Sequence, residues 1–160
     1  MAHQVQQSLV VPASLAATWT AVSQMGAVAD WHPNVAQVEV LTDQTAGVGA
    51  SRRVEFHDGN SVVETVIEEA NESFTSMQMS EMGPLRNPVV TIATHATPTG
   101  ETEVTFSIRY DVKYGPIGWL LSTLVMKGMF RKVFGKALAG LAYHLETGKS
   151  VTDAVPSAAA

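Results

Sequence analysis

The sequence contains no cysteine. That absence removes disulfides, thiolate catalysis and cysteine-ligated metal sites together, and it fits a reducing cytoplasm. Charge is also sparse: Asp, Glu, Lys and Arg make up 16% of the 160 residues and leave a net charge of −5. A phosphate backbone needs a basic face, so nucleic acid is not the expected partner. No apolar stretch follows a basic start at the N-terminus, so no secretory signal is expected. The most apolar run, Ile117 to Met126, is closed by Lys127 after ten residues. A membrane span needs roughly 20, so this run predicts a buried or interfacial helix and no integral membrane segment. Missing too are a GxSxG nucleophile, a Gly-rich phosphate loop after a strand, and any HxH or HxxxH pair among the five histidines. No metal site and no cofactor are therefore expected.

What is abundant is apolar material, 46% of the chain, enough for a core with some left over for a cavity. The length suits one domain, residues 1–148, and the remainder to Ala160 reads as a disordered tail with nothing to bury. His3 to Val11 alternates as a first strand, with Val5, Leu9 and Val11 on one side. Pro12 ends it, and Ser14 is placed to cap a helix through about Gln24 with Leu15, Trp19 and Val22 on one stripe. A second short helix follows, and Trp31-His32-Pro33 stops it. From Val35 the period is two, giving strands at 35–41, 51–57, 61–69, 73–82, 89–97 and 102–114, with a loop at 83–88. In the last strand Val104, Phe106, Ile108, Tyr110 and Val112 face one way while polar residues face the other, so one side of the sheet is buried.

After Gly115-Pro116 the chain reads as helix to about Thr147, with Gly148 as C-terminal cap and a bend or break expected near Gly128. Phe130, Phe134, Leu138, Leu141 and Leu145 form its core stripe, and Lys127, Arg131, Lys132 and Lys136 lie mostly opposite. One half-buried sheet and one long amphipathic helix pack best if the sheet curls around the helix. The expected fold class is thus α+β: a curved antiparallel sheet of about seven strands around a long C-terminal helix, with two short helices after the first strand.

Several landmarks occur in order along residues 3–147: Val11-Pro12-Ala13 leading into a helix with Trp19, then Trp31-His32-Pro33, Gly49-Ala50-Ser51-Arg52, Asp58-Gly59, Glu64, and Gly100 before Thr102 to Phe106. In that order they resemble the START/Bet v 1-like (SRPBCC) superfamily, in its bacterial polyketide cyclase/dehydrase-like branch. The resemblance implies the helix-grip fold and a ligand held between the sheet and the last helix. It also implies gating by the loops at 57–60 and 82–88.

Two hairpin registers are open at Asp58-Gly59. A two-residue turn pairs Arg53 with Glu64 and turns both to solvent, where an ion pair is worth well under ~1 kcal/mol. A three-residue loop with a Gly bulge pairs Arg52 with Glu64 and turns both inward beside Val54 and Phe56. Plant hormone receptors of the superfamily carry a similar G-x-x-R strand and a pocket glutamate, and this resemblance favours the inward pair. The expected cavity is lined by Trp31, Val54, Phe56, Met77, Met79, Phe106, Tyr110, Phe134 and Leu138, with Arg52 and Glu64 supplying polarity. His32 reads first as a loop residue beside a structural tryptophan and second as an acid or base near neutral pH. Methionines on the fifth strand and the last helix suit an apolar surface that accepts guests of different shape, and they suit ordinary core filling equally.

The leading expectation is a protein that binds a hydrophobic or amphipathic small molecule. A cyclase or dehydratase working on a poly-β-ketone without a cofactor is the alternative, and a partner-binding module using the basic helix face is a third.

Overall fold

Alternating β-branched and polar residues occupy most of the chain from Val35 to Val112. In the computed structural model they form six strands of a single seven-stranded antiparallel sheet, and the N-terminal segment supplies the seventh. The structure describes residues 3–113 and 115–151. Strand β1 (His3–Val11) is followed by helix α1 (Leu15–Ser23), a 3₁₀ turn (Met25–Ala27) and the short α2 (Val28–Trp31). A meander then runs through β2 (Val35–Val40), β3 (Ser51–Phe56), β4 (Ser61–Ala70), β5 (Phe74–Met79), β6 (Leu85–Ala96) and β7 (Thr102–Val112). The sheet order is β1-β7-β6-β5-β4-β3-β2, so β1 returns to pair with the last strand and leaves β2 at the opposite edge.

Ser14 caps α1 by accepting the Ala17 N–H at 3.2 Å, as its position before the apolar stripe predicts. The inward side chains of β7 are buried in strict alternation from Thr102 to Tyr110. The final helical segment runs 33 residues: α3 (Gly115–Leu121), a π-helical stretch (Ser122–Met126) and α4 (Lys127–Thr147). Phe130, Phe134, Leu138 and Leu141 of α4 are buried, and Phe134 meets Phe106 of β7 edge-on at 6.0 Å. This is the helix-grip arrangement, with the sheet closed around α4.

The irregularity expected near Gly128 is a π-helical stretch that ends just before Lys127. Two local expectations are corrected. Residues 85–88, read as loop, begin β6. An interrupted register between Arg86 and Val89 absorbs Asn87 at φ 49° and the missing N–H of Pro88. Residues 149–151, read as tail, are tied down: Val151 is buried, and its N–H donates to the Asp30 carbonyl at 2.9 Å. The rest of the expected tail, 152–160, lies outside the described residues. Among the described residues, no helix is long and apolar enough to cross a membrane.

Candidate functional site

Between the concave face and α4 lies a cavity of about 520 Å³. Its sheet wall is apolar: Val54 and Phe56 of β3, Met77 and Met79 of β5, Val90 and Ile92 of β6, Phe106 and Ile108 of β7. Met129, Phe130, Val133 and Phe134 supply the helix wall, and Val28, Trp31, His32 and Val35 close the side between them. The solvent-exposed members of the wall are His57, Asp58 and Asn60 on the β3–β4 turn and Met129 on α4, so the mouth opens there.

The β3–β4 turn takes the three-residue form. The Phe56 N–H donates to the Asn60 carbonyl at 2.9 Å, and Gly59 sits at φ 90°, a conformation that a side chain would strain. Arg52 therefore stands opposite Glu64, and both turn inward. Arg53 stands opposite Val63, faces out, and pairs with Glu39 of β2 at 2.9 Å.

Arg52 is 3% exposed, and each of its three guanidinium nitrogens has a partner. Its Nε donates to Glu64 Oε2 at 2.6 Å and its Nη1 to the Met25 carbonyl at 3.1 Å, while Nη2 lies 3.6 Å from Met77 Sδ. Glu64 is 8% exposed and forms part of the cavity wall. Its Oε1 makes no hydrogen bond to any described residue. The pair thus leaves one carboxylate oxygen over in a mostly apolar chamber.

His32 is a further polar group of the wall. Its Nδ1 accepts the Asn34 N–H at 3.3 Å, and its ring stacks on Trp31 at 5.8 Å. Burial lowers its pKa to about 4, and the positive charge of Arg52 pushes the same way. The ring is therefore neutral at pH 7, and with Nδ1 accepting, its proton sits on Nε2.

Of the eleven residues expected to line the cavity, nine do: Trp31, Arg52, Val54, Phe56, Glu64, Met77, Met79, Phe106 and Phe134. Tyr110 and Leu138 do not, and their placement corrects the expectation. Tyr110 is buried, but its ring stacks on His3 at 5.3 Å and tilts against Phe130 at 5.4 Å, outside the wall of this cavity. Leu138 lies one turn beyond Phe134 in the closed part of the core, beside Ala137 and Leu141. Sequence reasoning underrated His32 and missed the Met25 carbonyl, Val133 and the place of Met129. Val133 flanks Phe134 and follows Met129 by one turn, a second stripe beside the core stripe that was readable in principle. Among the described residues no cluster of His, Asp or Glu could hold a metal ion.

A sheet gripping its last helix around a lined chamber defines a helix-grip protein of the START/Bet v 1-like superfamily. A family model described as polyketide cyclase/dehydrase and lipid transport matches residues 2–146, and the chain belongs to that family. No functionally curated protein matches it by sequence. Among solved structures it is similar to a protein from Nitrosospira multiformis, with 17% identity, a TM-score of 0.71, and coverage of 91% of this chain and 98% of that one. It is also similar to a truncated norcoclaurine synthase from Thalictrum flavum, with 23% identity, a TM-score of 0.67, and coverage of 92% and 94%. DynU16, from the dynemicin biosynthetic locus, shares 23% identity at a TM-score of 0.65, covering 92% of this chain and 48% of that one. Identities this low establish the fold alone.

Proposed function

We propose that the protein binds a hydrophobic or amphipathic small molecule, lipid-like or polyketide-like, in the cavity between the sheet and α4. The observation that carries this reading is the chamber itself. At about 520 Å³ it falls within the range of roughly 300–1,000 Å³ typical of small-molecule sites, and its walls are apolar apart from a few convergent polar groups. An apolar guest is driven in by release from water. Glu64 Oε1 and the His32 Nε2–H are the groups that would orient its polar end. A charged pair inside an apolar chamber is costly to desolvate and is seldom kept for stability, which supports a role in recognition.

The alternative reading, a cyclase or dehydratase acting without a cofactor, is favoured by one observation. The neutral His32 and the Glu64 carboxylate share the chamber, so a hydrogen-bond donor for a carbonyl and a carboxylate that can accept a proton would face the same guest. The walls would hold a poly-β-ketone folded while these groups assist enolisation and loss of water. Norcoclaurine synthase is named as a synthase and DynU16 comes from a biosynthetic locus, and both names lean the same way.

Native mass spectrometry of protein purified from its own host tests the first reading, with a co-purified small molecule as the expected result. Protein that carries no guest and takes up no lipophilic fluorescent probe overturns it. Turnover of a poly-β-ketone, lost in Glu64→Gln, would decide for the second.

A further inference from the structure

Six apolar side chains on the way into α4 and in its first turn stand largely in water. Ile117, Trp119, Leu120, Leu124, Val125 and Met129 are between 47% and 73% exposed. Exposed apolar surface this concentrated marks an interaction site. Charge is distributed unevenly along it: Glu81, Arg86 and Asp111 flank the end at residues 116–119, and cations dominate beyond. Between Asp111 and Glu146 the sequence has no carboxylate, yet that stretch holds five of the ten Lys and Arg of a chain whose net charge is −5. Lys113 is paired with Glu81 at 2.8 Å. Arg131 and Lys132 are exposed, Lys127 and Lys136 half-exposed, and none of these four is in an ion pair with a described residue. Met129 belongs both to the exposed apolar face and to the cavity wall, so this face adjoins the mouth.

We infer that the face formed by α3, the π stretch and the start of α4 docks on an anionic lipid surface, with the mouth of the cavity at the lipid boundary. The apolar side chains would enter the interface between headgroups and acyl chains, and Lys127, Arg131, Lys132 and Lys136 would meet the anionic headgroups. Both halves of that signature are present, and a two-fold dimer through this face would set the four cations of one copy against those of the other, so an anionic lipid surface fits it better than a second copy of the chain. This surface stands apart from the chamber's chemistry, so it does not depend on what the chamber binds.

Vesicle flotation with the full chain tests it, using phosphatidylcholine with and without phosphatidylserine at low and high salt. The expected result is partition onto the phosphatidylserine vesicles that weakens with salt and with loss of the anionic lipid. It should be accompanied by a blue shift of tryptophan emission from Trp119, since Trp19 and Trp31 are already buried. The double variant Leu124→Glu/Val125→Glu should bind about tenfold more weakly or worse, and Arg131→Glu/Lys132→Glu should lose the preference for phosphatidylserine. All four residues are exposed, so circular dichroism should show both variants folded. A wild-type chain that stays off phosphatidylserine vesicles, or a Leu124→Glu/Val125→Glu variant that binds them as well as wild type, overturns the inference. A dimer in sedimentation velocity that this variant dissolves, without vesicle binding, also overturns it and assigns the face to a second copy.

Discussion

Arg52 and Glu64 face each other across β3 and β4, and a 2.6 Å hydrogen bond from Nε to Oε2 joins them inside the grip. Removing one partner leaves the other buried without compensation. Glu64→Ala is expected to cost roughly 1.5–3 kcal/mol, the upper end being that of a broken buried pair and the lower end allowing for water in the cavity. Arg52→Ala should cost a similar amount, and the double variant little more than either single one. Urea unfolding of the four proteins measures this; small, additive losses would mean that the pair is not coupled.

His32 makes stability depend on pH. Its ordinary pKa is 6.5 and its folded value is about 4, so between these values the unfolded chain binds a proton that the folded chain refuses. The contribution is therefore fully present above pH 6.5 and is lost as pH falls toward 4. After allowance for partial exposure the loss amounts to roughly 2 kcal/mol. The measurement is the difference in unfolding free energy between pH 7 and pH 4.5, which should shrink in His32→Gln. An unchanged difference would clear His32 of the effect.

Met79 lies in the sheet wall of the cavity and is 8% exposed. Met79→Trp adds bulk where a guest would sit, so probe affinity should fall by about tenfold or more, at a stability cost of about 1–3 kcal/mol. Fluorescence titration beside a thermal melt separates the two effects. Undiminished affinity in a folded variant would place the guest elsewhere.

Gly140 and Gly135, both in α4, should respond oppositely to alanine. A Cβ on Gly140 would lie 2.2 Å from the Trp31 carbonyl and 2.8 Å from the Pro33 ring, so the helix must back away from the α2–β2 junction. A loss of about 2–3 kcal/mol is expected. Gly135 is exposed with nothing within 4 Å, and alanine there should gain about 0.5–1 kcal/mol from helix propensity. Melting temperatures that move the same way for both would contradict this packing.

The contrast between these two glycines shows where reading the sequence stops. Periodicity says which residues share a face, and it placed Phe106, Met77, Met79 and Phe134 correctly because alternation and helical stripes are local properties. It does not say where along a face the cavity ends, so Tyr110 and Leu138 were carried with their neighbours into a wall they do not join. The register of Arg52 and Glu64 turned on one residue in the β3–β4 turn, where two- and three-residue turns suit the same letters. His32, the Met25 carbonyl and Gly140 owe their roles to contacts between segments far apart in the chain, and no local pattern records those.

The pairing of β1 with β7 sets His3 against Tyr110, and every residue of β1 finds its partner in the last strand. During synthesis the meander from β2 onward can close hairpin by hairpin as it leaves the ribosome. β1 cannot, because its partner strand is the last to be made. Until then Val5 and Val11, both buried in the finished sheet, remain uncovered on a free strand. A fold that joins its first strand to its last accepts slow closure, and it lengthens the interval in which that strand is open to wrong partners.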